Sequence, residues 1–134
     1  MKIIIDAKDE VVGRIGSYAA KQLLQGQEVA IINVEEAVIS GNKADILSKI
    51  KRLRNIGGSS QKGPKMSKLP DLLVKRMIRG MLPWDKSKGR NVFHHLRCYV
   101  GKGDLKDEEV KSAKALGFKK PMKFITIKEI VKLL

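Results

Sequence analysis

Along the chain the hydrophobic period changes several times, and each change marks an element. Lys2-Ile3-Ile4-Ile5-Asp6 is a short β-branched run followed by polar residues, the pattern of a buried strand. From Gly13 the spacing becomes helical: Ile15, Ala19, Ala20, Leu23 and Leu24 fall on one stripe, and Gly26 stands where a helix-ending glycine is expected. Val29-Ala30-Ile31-Ile32-Asn33 is a second apolar strand. Strand, helix and strand in such close succession predict a β-α-β unit, with parallel neighbouring strands and a right-handed crossover. Val38-Ile39 predicts a further, very short strand.

Asn42 suits the N-cap of a helix running to about Asn55. Its inward stripe would be Ile46, Leu47, Ile50 and Leu53, with Lys49, Lys51 and Arg52 on the other side. Residues 57–70 hold almost nothing that could nucleate a core and no acid, which predicts a long, exposed basic loop. Pro70 fits the first turn of another helix, which Pro83 must end. There Leu73, Val74, Met77, Ile78 and Met81 share one face while Lys75, Arg76 and Arg79 gather on the opposite one. Such a helix can dock on a core with one side and on phosphates with the other.

Leu96 to Val100 reads as a strand, preceded by a turn or short helix that includes His94 and His95. A weaker helix is expected over about 105–116, broken at Gly117. The last helix opens on a capping-box pattern, Thr126-Ile127-Lys128-Glu129, with Ile127, Ile130, Val131 and Leu134 along one side. No repeat or second-domain boundary stands out. The expectation is one domain, 1–134, with a C-terminal helical extension at about 104–134.

Charge changes the picture most. The chain carries 28 Lys and Arg against 14 Asp and Glu. Residues 1–42 hold 4 basic and 6 acidic side chains, residues 43–90 hold 14 and 3, and residues 91–134 hold 10 and 5. An excess concentrated in the middle third predicts a polyanionic partner, because each neutralised phosphate releases condensed counterions. A lysine-rich face kept only for solubility would mix the signs, as the two ends do. The apolar opening is stopped at Asp6 and no run approaches the roughly 20 residues that cross a bilayer, so a soluble cytoplasmic protein without a membrane partner is expected. The single cysteine, Cys98, agrees with a reducing compartment.

Catalytic chemistry is missing. Gly57-Gly58-Ser59-Ser60-Gln61-Lys62-Gly63 lacks the order of a phosphate-binding loop, and Gly13-Arg14-Ile15-Gly16 has the wrong glycine spacing for a dinucleotide fingerprint. His94, His95 and Cys98 are too few for a zinc site. Cys98 is expected to be a small buried hydrophobe, and Asp6 to close the first strand by hydrogen-bonding backbone or an arginine. No enzyme activity, cofactor, metal or small-molecule substrate is expected.

Several motifs then occur in a recognisable order: Ile5-Asp6-Ala7, Val12-Gly13-Arg14, Val34 with Ser40-Gly41-Asn42-Lys43, Arg79-Gly80-Met81-Leu82-Pro83-Trp84, Gly89-Arg90, and Leu96-Arg97-Cys98-Tyr99-Val100-Gly101. Together they resemble the thirteenth family of large-subunit ribosomal proteins, over roughly residues 3–103. Trp84, Gly63-Pro64 and the short N-terminal lead-in look like its archaeal and eukaryotic branch. The resemblance implies a three-layer α/β/α fold with a small, mostly parallel four-stranded sheet. It also implies a structural constituent of the large subunit that binds ribosomal RNA, sits beside other large-subunit proteins and supports assembly.

On that reading the candidate RNA contacts are Lys43, Lys49, Lys51, Arg52 and Arg54 on the first cationic helix, and Lys62, Lys65 and Lys68 in the loop. Lys75, Arg76, Arg79 and Gly80 follow on the second helix, then Trp84, Lys86, Lys88 and Arg90 beyond it. Gly80 would allow close approach of an RNA backbone or of protein, and Pro83 would let the segment with Lys86, Lys88 and Arg90 leave the body at a fixed angle. Met81 and Leu82 suit core and RNA about equally. Trp84 could stack on a base or pack on its own domain. Two rivals stand beside this reading: an RNA-modifying or nucleotide-hydrolysing enzyme, and an extra-ribosomal RNA-binding regulator of translation.

Overall fold

The structure, a computed structural model, describes residues 2–56, 67–117 and 119–134. Strand β1 (Lys2–Asp6), helix α1 (Val12–Leu24) and strand β2 (Glu28–Ile32) form the expected opening unit, and the two strands pair in parallel with Ile3 opposite Val29 and Ile5 opposite Ile31. Asp6 Oδ1 accepts from the Lys8 amide and from Asn33 Nδ2, both at 3.0 Å. Its partners are thus backbone and an asparagine at the ends of the two strands. A 3-10 turn (Val34–Glu36) leads into β3 (Val38–Ser40). Then come α2 (Lys43–Asn55), α3 (Pro70–Arg79), α4 (Ser87–Phe93), β4 (Leu96–Cys98), α5 (Asp107–Lys111), β5 (Phe124–Thr126) and α6 (Ile127–Leu133).

The α/β class holds, with a difference in the sheet. Among the described residues the parallel sheet has three strands, in the order β1-β2-β4, where the resemblance implies four. β3 pairs antiparallel with β5 instead, Ile39 opposite Ile125, and touches the rest of the strand system through a bridge between Val11 and Val38. The free edge of β1 is taken by Lys114, whose amide donates to Ile4 O at 2.9 Å and whose carbonyl accepts from the Asp6 amide at 3.1 Å. That pairing explains why the helix expected over 105–116 shrinks to α5. Extended backbone at Lys114 satisfies an exposed strand edge, which a continued helix could not do.

Strand alternation divides the core. Ile5, Val29, Ile31 and Leu96 face α1, α3 and α6, which supply Ile15, Ala19, Leu23, Leu73, Ile78, Ile127 and Ile130. Ile4, Ala30 and Ile32 face the other way, under Leu105, Tyr99, Val110 and Ala113. The layer on this second side is thin.

The C-terminal stretch is not a plain helical extension. Ile125, Ile127 and Ile130 are fully buried in the main core. At roughly 1.5–3 kcal/mol for each such side chain, their burial is comparable with the net stability of a small domain. Glu10, the single buried charged residue among those described, accepts the Gly117 amide on Oε1 at 2.9 Å and ties this stretch to the entrance of α1. Thr126 caps α6 by accepting the Glu129 amide at 3.2 Å, as its motif predicts.

Candidate nucleic-acid interface

α3 is helical for reasons visible in its residues. Pro70 occupies the first turn with Asp71 beside it, complementing the helix dipole, and Leu73, Val74 and Ile78 are buried on one face. The helix ends at Gly80, a turn before Pro83, where the Met81 amide turns back to Ile78 O at 2.9 Å. Gly16 of α1 makes room for this end: a Cβ there would stand 2.7 Å from Met81 Sδ. Leu82 is buried and Met81 remains 40% exposed. A Cβ at Gly80 would meet only Met77 O at an ordinary 3.5 Å, so internal packing does not require this glycine.

After Pro83 the chain folds back rather than leaving the body. α4 returns onto α1, and a Cβ at Gly89 would overlap the Pro83 carbonyl, so the glycine is what lets helix and turn meet. Trp84 is therefore held on its own domain, edge to face with Phe93, ring centroids 5.2 Å apart and planes at 89°. Cations close both ends of the pair. The Arg79 guanidinium lies 4.8 Å from the Trp84 ring centre and Lys75 Nζ 5.1 Å from that of Phe93. Lys75, Phe93, Trp84 and Arg79 form one series, each cation–π contact worth roughly 0.5–1 kcal/mol at such exposed sites.

Beside this series lies a groove of about 280 Å³ lined by Ser67, Leu72, Lys75, Arg76, Arg79 and Phe93. Leu72 and Lys75 also line a neighbouring hollow that holds Arg97, Cys98 and Asp104. Burial pushes the Cys98 thiol up to about 12; nearby Lys75 opposes the rise and Asp71 adds to it. A thiol so poised is protonated, although Cys98 is half-buried at the wall of that hollow rather than the fully buried small hydrophobe expected.

α2 offers a second set of cations on a looser support. The Asn42 side chain accepts the Ala44 amide at 3.2 Å, confirming the N-cap. Of its apolar stripe only Ile50 is buried; Ile46 and Leu47 are half-buried and Leu53 is exposed. Lys49, Lys51 and Arg52 extend into solvent, whereas Arg54 is half-buried and Lys43 pairs with Glu129 at 3.4 Å. Lys68, Lys86, Lys88 and Arg90 are exposed, and Lys62 and Lys65 lie outside the described residues. The structure thus brings Lys75, Arg76, Arg79 and Trp84 together, and sets the α2 cations on a separate helix. Apart from Lys43, none of the described candidate cations is in an ion pair; the ion pairs use Lys2, Lys102, Lys120 and His95.

Sequence reasoning missed Phe93 and Leu72, which give the groove its apolar walls. The signal was slight: Phe93 is one of three phenylalanines and lies nine residues after the lone tryptophan. Exposed Lys119, Lys120 and Lys123 were also passed over, although they stand in a five-residue span without an acid.

Residues 1–104 match the family model described as Ribosomal protein L13. This chain belongs to that family. Among its relatives, the large ribosomal subunit protein uL13 of Natronomonas pharaonis is 35% identical over 128 residues, which cover 96% of this chain and 87% of that protein. The uL13 of Halobacterium salinarum is 37% identical over the same shares, and that of Methanosarcina barkeri 45% identical over 79% of this chain and 76% of its own length. These relatives are archaeal, and the chain is an L13-family protein of the archaeal type. The L13 family match ends at residue 104, whereas the buried core continues to Ile130. Among the described residues there is no group of three or more His, Cys, Asp or Glu able to hold a metal ion, and no helix is long and apolar enough to cross a membrane.

Proposed function

We propose that this L13-family chain is a structural constituent of the large ribosomal subunit, binding ribosomal RNA and supporting subunit assembly in the cytoplasm, without catalysis of its own. The observation that carries the reading is the outer face of α3, where Lys75, Arg76 and Arg79 stand clear of ion pairs while Leu73, Val74 and Ile78 anchor the helix in the core. Uncompensated cations on a rigid support suit phosphates, which attract them wherever the RNA fold brings backbone close. The exposed cations of α2 and α4 extend the same chemistry to further strands, and neighbouring large-subunit proteins are the other expected partners.

The test is binding of the full chain to large-subunit ribosomal RNA across salt. Engagement of about six to ten phosphates predicts a loss of roughly 10³–10⁵ in affinity between 50 and 200 mM salt. A curve flat in salt would contradict the proposal. In cell extracts the protein is expected to sediment with large subunits through a moderate salt wash. Sedimentation apart from them would favour an extra-ribosomal regulator.

A further inference from the structure

Phosphate contact alone does not explain the groove beside α3. Its cations would satisfy a backbone, yet its walls also include Phe93 and a Leu72 that is 46% exposed. An apolar side chain facing water between three cations gains from a ligand that brings an apolar surface and negative charge together. Arg79 adds a third property. Its guanidinium is held against the Trp84 ring and is otherwise exposed, a flat group on which another planar group can continue the stack. Ser67 supplies a hydroxyl at the rim.

A planar ring with apolar faces, hydrogen-bonding edges and an attached phosphate answers all of these features, and a nucleotide is such a ligand. Bases inside a stem are stacked on each other and cannot enter a groove of this kind, so the nucleotide must be unpaired. We infer that the groove seats one unpaired nucleotide of an RNA strand, the base against Leu72 and Phe93 beside Arg79, its phosphate on Lys75 and Arg76. This deepens the RNA-binding reading proposed above and rests on it. Two of the chain's six aromatic residues, Trp84 and Phe93, are gathered here.

The experiment compares two RNAs with the full chain: a fully paired duplex, and the same duplex carrying a single bulged fluorescent adenine analogue. The bulged RNA is expected to bind roughly tenfold tighter, the size of effect a stacked base gives, with a change in the analogue's emission. Leu72→Asn, at a surface position, is expected to erase the preference while leaving affinity for the paired duplex and the melting temperature unchanged. Arg76→Gln is expected to weaken both RNAs. Equal, salt-sensitive affinity for both RNAs, or a preference that survives both Leu72→Asn and Phe93→Leu, overturns the nucleotide site while RNA binding stands. Failure to bind either RNA at low salt removes the underlying reading and this site with it.

Discussion

α2 and α3 carry similar charge on opposite terms. α3 buries Leu73, Val74 and Ile78, and two of its cations rest on aromatic rings that are themselves packed. α2 is longer and carries more cations, yet buries only Ile50 and leaves Lys49, Lys51 and Arg52 reaching into water. A cation held in place has already lost the freedom that binding would remove, so it contributes more of its attraction to affinity. Free lysines follow phosphates wherever they lie. On the proposed RNA-binding reading, α3 would place the protein on its RNA and α2 would add general adhesion.

Three measurements would break or sharpen that contrast. The largest effect is on the supports: Leu73→Ala should destabilise the fold by about 3–5 kcal/mol, and Ile50→Ala by about 2 kcal/mol, because α2 can settle into the space it leaves. Urea unfolding that gave the two equal losses would end the distinction. Next comes RNA affinity. Arg79→Ala is expected to weaken binding roughly tenfold to a hundredfold, and Lys51→Ala only a few-fold, although each should lower the salt slope by about one. Titration at two salt concentrations measures both quantities, and matching losses would mean that the rings do nothing for Arg79.

The last effect lies behind α3, at Cys98, and is confined to alkaline pH. Its thiol is raised from an ordinary 9.0 to about 12, chiefly by burial. Between those values the unfolded chain has given up this proton and the folded chain keeps it. Folding stability supplied by the neutral thiol is therefore complete below pH 9 and lost as pH climbs towards 12. Thermal melts of Cys98→Ala should fall less steeply with pH over that window than those of the unaltered chain.

Much of this could be read in the residues, and the parts that could not share a cause. β1, α1 and β2 follow from local period, Asn42 from its capping chemistry, and the inward and outward faces of α3 from spacing alone. β5 escaped because its three residues become a strand only by pairing with β3, over eighty residues earlier. Lys114 left the expected helix for the same reason, drawn to an open strand edge at the other end of the chain. Among candidate contacts, the grouping of Lys75, Arg76 and Arg79 was visible in their spacing. The fold-back at Gly89 was not, because it depends on how close a helix comes to the Pro83 carbonyl. Without it the aromatic pair does not form and Trp84 has no fixed place.

The late closure of the β3–β5 pair also bears on synthesis. Translation delivers the chain from its N-terminus, so β3 waits without a strand partner, and the main core without Ile125, Ile127 and Ile130, until those later residues have been made and have emerged. During that delay the basic middle third is made, on a chain that cannot yet complete itself. A nascent polypeptide in that condition presents its charge to the abundant nucleic acid around it before its core has closed.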